Sequence, residues 1–164
     1  MGCARKHTEK TGRCLYCDWL RAEQDFSDRV IFENEYFSVI IPFFSEVAYG
    51  VHIISREHKK YITNFNKKEK EVLAKTVRDT AGMLDSLFDM SFPYMMYMHN
   101  APVNMDDIEV FHFHIEFIPS MRSKDKQQFF ASSETGAWAH CNPTAPEERA
   151  EELREAYKKF IGKK

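Results

Sequence analysis

No stretch of this chain approaches the length of apolar sequence needed to span a bilayer, and Met1-Gly2-Cys3-Ala4-Arg5-Lys6 lacks a signal-peptide core. Lys6 stands where a myristoylation signal wants Ser or Thr, which argues against that anchor. Neither sign of charge dominates: 23 Lys and Arg against 25 Asp and Glu leave a formal charge of -2, no reason to expect nucleic acid or an anionic membrane as partner. There is no internal repeat and no low-complexity segment. The expectation is a cytoplasmic globular protein. Four cysteines without an export signal point to a reducing compartment, where Cys14-Leu15-Tyr16-Cys17 reads as metal binding or redox chemistry, not as a structural disulfide.

With 164 residues, 43% hydrophobic and 14% aromatic, the chain is long enough for one domain with a sizeable core. Residues 1–13 are polar and basic and read as a flexible arm, leaving 14–164 as the domain. A short helix follows the CxxC to Phe26. Arg29–Phe32 and Tyr36–Ile41 alternate as strands around the turn Glu33-Asn34-Glu35, and Val51–Ser55 is a third strand. Over Lys67–Phe88, Val72, Thr76, Ala81, Leu84 and Phe88 recur at helical spacing behind Asn66, a plausible N-cap. Tyr94–His99 and Phe111–Ile118 read as strands. Pro146–Phe160 reads as a helix capped near Thr144, with Lys158 and Lys159 in its last turn. This order predicts an α+β fold: a mostly antiparallel sheet, one long crossover helix and a C-terminal helix.

The most informative segment is Phe111-His112-Phe113-His114-Ile115-Glu116-Phe117-Ile118-Pro119. As a strand it puts His112, His114 and Glu116 on one face and Phe111, Phe113, Ile115 and Phe117 on the other. Imidazoles presented side by side can build a metal site or a nucleophile that attacks phosphorus. A CxxC turn brings two thiolates onto one metal ion, and zinc then wants two more N or S ligands. His58 and His112 are the best distant candidates. A rival local set is Cys3, His7, Cys14 and Cys17. A thioredoxin-like pair is weaker, since no parallel strand–helix unit surrounds the motif.

Gly12–Asp18, Val30–Asn34, Ile54–His58, His99-Asn100-Ala101-Pro102, His112–Glu116, Glu134-Thr135-Gly136 and Asn142–Glu148 together resemble the histidine-triad superfamily, and most closely the C-terminal half of galactose-1-phosphate uridylyltransferase. The resemblance implies a histidine-triad-like fold and a zinc site of Cys14, Cys17, His58 and His112. It implies that His114 is the nucleophile, carrying a covalent nucleotidyl group, with Glu116 beside it at the catalytic position. It implies a nucleotide or nucleotide sugar as substrate, contacted from Asn100, Arg122, Lys126, Gln128 and Glu134, and a homodimer in place of two fused halves. The aromatic load, including Phe43, Phe44, Phe129, Phe130 and Trp138, is more than one small core needs and fits a surface covered by a partner.

The chain also departs from the active pattern. Glu116 replaces a histidine or glutamine that donates to phosphate, whereas a carboxylate only accepts. Asn104–Glu109 is acidic where phosphate cradles are usually Gly/Ser-rich, and Pro42 replaces a ribose-binding aspartate. These features match the half of the transferase that lacks the nucleophile, where positions like His99, His112 and His114 help hold a second metal. The alternative function is therefore a zinc-stabilised, non-catalytic module that binds a nucleotide or sugar phosphate.

Overall fold

The computed structural model describes residues 2–104 and 108–163, so Met105, Asp106 and Asp107 of the acidic loop lie outside the described residues. The elements, in order, are α1 (Gly2–Thr11), α2 (Leu15–Phe26), β1 (Val30–Glu33), β2 (Phe37–Ile40), β3 (Val51–Ser55), α3 (Lys67–Leu87), β4 (Tyr94–His99), β5 (His114–Pro119), β6 (Met121–Ser123), β7 (Lys126–Gln127), α4 (Ser132–Ala137) and α5 (Pro146–Gly162). Five strands form one sheet in the order β1-β2-β3-β5-β4, every pair antiparallel, and β6–β7 is a separate hairpin. The fold is α+β, with α3 as the long crossover.

Alternation along the strands divides the sheet into two faces. Phe37, Val39, Ile53, Ile115 and Phe117 are fully buried in the main core, together with Leu73, Met83 and Leu84 of α3 and Leu153 of α5. The opposite face is covered in part by α2, where Leu20 packs with Ile40 and Ile54. His52, His114 and Glu116 share that second face. The helix α3 starts where the sequence places it, because the Asn66 side chain accepts from the Glu69 amide at 2.9 Å while Glu69 returns a bond to the Asn66 amide at 2.7 Å. α3 and α5 approach so closely that a Cβ on Gly82 would lie 2.2 Å from the Phe160 ring.

Several sequence expectations are corrected. Residues 2–11 form helix α1 where a flexible arm is expected: Ala4 is buried, and His7 reaches Asp18 of α2 at 2.9 Å. The motif strand begins at His114, three residues later than expected. Its partner β3 ends at Ser55, so the chain before His114 pairs instead with the segment after it, the Phe113 amide donating to the Lys59 carbonyl at 2.7 Å. The cap of α5 is Ala145, without a side-chain bond, because the Thr144 hydroxyl is engaged by Asn142 at 2.7 Å. The hairpin β6–β7 and the short α4 carry no clear periodic signal.

Candidate active site and metal centre

Two groups of metal-ligating side chains stand at the end of the sheet nearest α1 and α2. Cys14, Cys17, His58 and His112 form the first, and His99, His114 and Glu116 the second; within each group all ligand atoms lie within 4.8 Å of one another. The first is assembled from the turn before α2, the segment after β3 and the approach to β5. The Cys17 sulfur lies 3.4 Å from His112 Nδ1 and 3.5 Å from His58 Nδ1, and the Cys14 sulfur 4.0 Å from His112 Nδ1. His112 Nε2 faces the Ser55 carbonyl at 2.8 Å, an acceptor only, so Nε2 carries a proton, and Nδ1 faces the sulfurs. The hydrogen bond from the Cys17 thiol pulls the Cys14 thiol far below its ordinary range, with His112 and His58 adding to the effect, while Cys17 is pushed up by that same shared proton. Two sulfurs holding one proton beside two imidazoles fit a tetrahedral zinc site, which would supply a cross-link between these three segments. Neither Cys3 nor His7 belongs to this group: His7 faces Asp18, and Cys3 lines a separate cavity.

Strand register builds the second group. On β5, His114 lies between Ile54 of β3 and His99 of β4, and Glu116 lies between His52 and Tyr97. One Glu116 oxygen is 3.3 Å from His114 Nε2, 3.3 Å from His99 Nε2 and 3.8 Å from His52 Nε2. The His114 ring stacks with His99 at 4.6 Å, with Tyr16 at 4.9 Å and with His52 at 5.9 Å. Its Nδ1 donates to the His112 carbonyl at 2.8 Å, which points Nε2 toward the Glu116 carboxylate. Burial would raise the Glu116 carboxyl, but the His114 hydrogen bond and the nearby His52, His99 and His114 outweigh it and bring it down to about 2. Burial lowers His52 to about 4, and burial also lowers His99, with the neighbouring His114 adding to the effect.

Cavities open on both sides of Glu116. One of about 300 Å³ lies between α1, Tyr16, Phe111, His99 and His114. The other, about 180 Å³, lies between Phe44, Glu46, His52 and Tyr97.

The residues expected to touch substrate are not gathered here. Asn100 accepts from the Ile62 amide at 2.9 Å and fixes the turn before α3. Gln128 holds the β2–β3 loop, with its oxygen 3.2 Å from the Ala48 amide and its amide donating to the Glu46 carbonyl at 3.3 Å. Glu134 caps its own helix, accepting from the Ala131 and Cys141 amides at 2.9 and 3.1 Å. Arg122 lies in a groove beside α5, and Lys126 lies on β7. His52 and Tyr16 were missed by sequence reasoning. The signal for His52 was a lone imidazole in the apolar strand Val51–Ser55, on the same face as the motif histidines; Tyr16 sits between the two cysteines, with no signal of its own.

An antiparallel five-stranded sheet with a long crossover helix, and an H-x-H segment leading into the strand β5 beside the helix α2, defines a histidine-triad-like fold. A zinc-bound histidine-triad protein of Mycobacterium smegmatis shares the architecture, with a TM-score of 0.59 at 18% identity over 92% of this chain and 97% of its own. The family model for the C-terminal domain of galactose-1-phosphate uridyl transferase matches residues 2–158, and the chain belongs to that family. The galactose-1-phosphate uridylyltransferase of Thermotoga maritima is 41% identical over 156 residues, covering 94% of this chain and 48% of the relative, and that of Saccharomyces cerevisiae 32% identical over 91% and 41%. A solved uridylyltransferase aligns with a TM-score of 0.88 at 27% identity, over 96% of this chain and 49% of the other. The chain thus spans about half the length of the curated relatives it matches.

Proposed function

We propose that the chain is one half-unit of a nucleotidyltransferase of the galactose-1-phosphate uridylyltransferase type, acting on a nucleotide sugar with His114 as nucleophile. The observation that carries this is the hydrogen bond from His114 Nδ1 to the His112 carbonyl, which directs Nε2, and the lone pair of its neutral form, toward the cleft beside Glu116. That lone pair attacks the α-phosphorus, the bond to the bridging oxygen breaks, and the sugar phosphate leaves with the electron pair. The Nδ1 proton stays on the ring, and the His112 carbonyl stabilises the charge that the ring gains. An acceptor sugar phosphate or water then takes the nucleotidyl group, and the neutral imidazole is restored. Incubation with labelled UDP-glucose, followed by recovery of an acid-labile adduct on His114, tests the step; no adduct and no turnover would refute it.

Zinc on Cys14, Cys17, His58 and His112 is the proposed structural metal. The proposed assembly is a homodimer, in which a second copy stands where the relatives have their other half. Support comes from β4, which pairs only with β5 among the described strands and leaves Tyr94 through Met98 between 38% and 60% exposed. A cytoplasmic location is part of the proposal, with neither nucleic acid nor a membrane as partner; no described helix is long and apolar enough to cross a membrane.

A second reading is favoured by the closeness of Glu116 to three imidazoles. With His99 and His114 as ligands of a second metal, His114 would no longer be free to attack phosphorus. The chain would then be a zinc-stabilised module that binds a nucleotide or sugar phosphate without transferring it.

A further inference from the structure

The turn that carries the two cysteines also carries an aromatic ring for which neither the metal ligands nor the core accounts. Tyr16 stands between Cys14 and Cys17 in the first turn of α2, is half-buried and, among the described residues, is not packed into either hydrophobic cluster. It lines the cavity of about 300 Å³ together with His99, His114 and Glu116. Its ring stacks on that of His114, with centroids 4.9 Å apart and planes 27° from parallel, whereas the His112 ring lies 6.3 Å away and is tilted by 46°. Of the two motif histidines, Tyr16 therefore stacks on the one outside the four-ligand group.

Tyr16 is itself held from behind. Spacing by three residues on α2 sets it against Trp19, with ring centroids 6.0 Å apart in an edge-on contact. The Trp19 indole N–H donates to Glu23 at 2.8 Å, and Glu23, only 1% exposed, also accepts from Arg29 Nε at 2.8 Å. A buried carboxylate with its partners in place is a rigid anchor, so a row of fixed groups runs from Arg29 and Glu23 through Trp19 and Tyr16 to His114. The hydrogen bond at Nδ1 fixes one ring atom of His114 and leaves the tilt of the ring about that atom to its stacking partners. One of these is His99 at 4.6 Å, which sits on the edge strand β4 with 39% of its side chain exposed. Tyr16, on the anchored helix, is the stiffer of the two.

We infer that Tyr16 is a positioning residue for His114, its ring face setting the plane of the imidazole and so the direction in which Nε2 points. On the nucleotidyl-transfer reading, on which this role in the rate rests, attack succeeds only when Nε2 is in line with the bond that breaks at phosphorus, and a tilted ring is out of line. The imidazole also gains positive charge as it attacks, and the electron-rich face of a phenol favours a cation beside it.

The test uses the full chain with isotope-labelled histidine, as wild type, Tyr16→Phe and Tyr16→Leu. It reads the His114 ring signals by NMR, assigned through His114→Ala, together with metal content and with kcat and KM for UDP-glucose. In wild type and Tyr16→Phe the neighbouring ring should shift the His114 ring protons upfield, and Tyr16→Leu should lose that shift while keeping its metal. Tyr16→Leu should also lose about tenfold in kcat with KM unchanged, because the alignment is used in the transition state and not in binding, and Tyr16→Phe should retain both constants. His114 signals in Tyr16→Leu that match wild type would overturn the inference. So would a Tyr16→Phe that falls as far as Tyr16→Leu, a rise in KM at constant kcat, or loss of metal in Tyr16→Leu, which would assign the ring to the metal centre. A wild type without turnover removes the nucleotidyl-transfer reading alone; the His114 signals then decide whether Tyr16 sets that ring.

Discussion

The Nδ1 of His114 donates to the backbone carbonyl of His112 at 2.8 Å, so a residue whose side chain faces the two cysteines also sets the proton of the neighbouring imidazole. The two histidines, separated by one residue, thereby belong to different clusters. His112 turns its Nδ1 to the sulfurs, and His114 turns its Nε2 to Glu116.

Purified protein is expected to contain about one zinc per chain. Cys14→Ser or Cys17→Ser should lose it and lower the melting temperature by roughly 10 °C or more, because a site absent from the unfolded chain contributes its binding energy to folding. Cys3→Ser and His7→Ala should keep it. Metal analysis alongside thermal melts decides; full zinc in Cys14→Ser would refute the assignment.

His114→Ala should abolish nucleotide-sugar turnover while leaving zinc content and fold intact, since the His114 ring lies outside the four-ligand group. Glu116→Gln should raise turnover or phosphate affinity, as it removes a negative charge beside the phosphate and restores a donor. The two variants assayed together separate the readings. If His114→Ala instead loses a second metal and Glu116→Gln changes nothing for any nucleotide, the binding module stands.

A dimer formed through β4 should be visible as twice the chain mass by light scattering at micromolar concentration. Met96→Pro, on the exposed edge strand, should give the monomer mass, because proline removes an edge donor and stiffens the backbone. A wild-type monomer at that concentration would refute the pairing.

Glu134 offers a pH test. Hydrogen bonds from the Ala131 amide, its own amide and the Ser133 hydroxyl hold its carboxyl at about 2, against an ordinary value of 4.5. A depressed carboxyl contributes stability that is fully present above 4.5 and is lost as pH falls toward 2. The loop of residues 131–141 should therefore open across that window in wild type, read by Trp138 fluorescence. Glu134→Gln should already be loosened at pH 7 and show no such transition.

Gly82→Ala should cost about 1–3 kcal/mol, the usual penalty of overpacking, because its Cβ meets the Phe160 ring at 2.2 Å and α5 must shift away from α3. Denaturant unfolding measures it. Gly82→Ala with Phe160→Leu should recover most of the loss.

Much of this protein was determined locally and could be read from the chain itself. The capping box at Asn66 and Glu69, the helical period of α3, and the alternation that sets His114 and Glu116 against Ile115 and Phe117 depend on neighbours a few residues apart. The CxxC turn is likewise local, and the ordered set of motifs was enough to point to the family. The polar stretch 2–11 was misread because the partner of its buried Ala4 lies in tertiary packing, which composition does not report. Only the tertiary structure decided which imidazole goes where. His58 and His112 reach Cys17 across 41 and 95 residues, and His52 comes beside Glu116 because the β3–β5 register pairs those two positions. A register shifted by one residue would have sent His52 into the main core in place of Ile53, since successive side chains of a strand point to opposite faces.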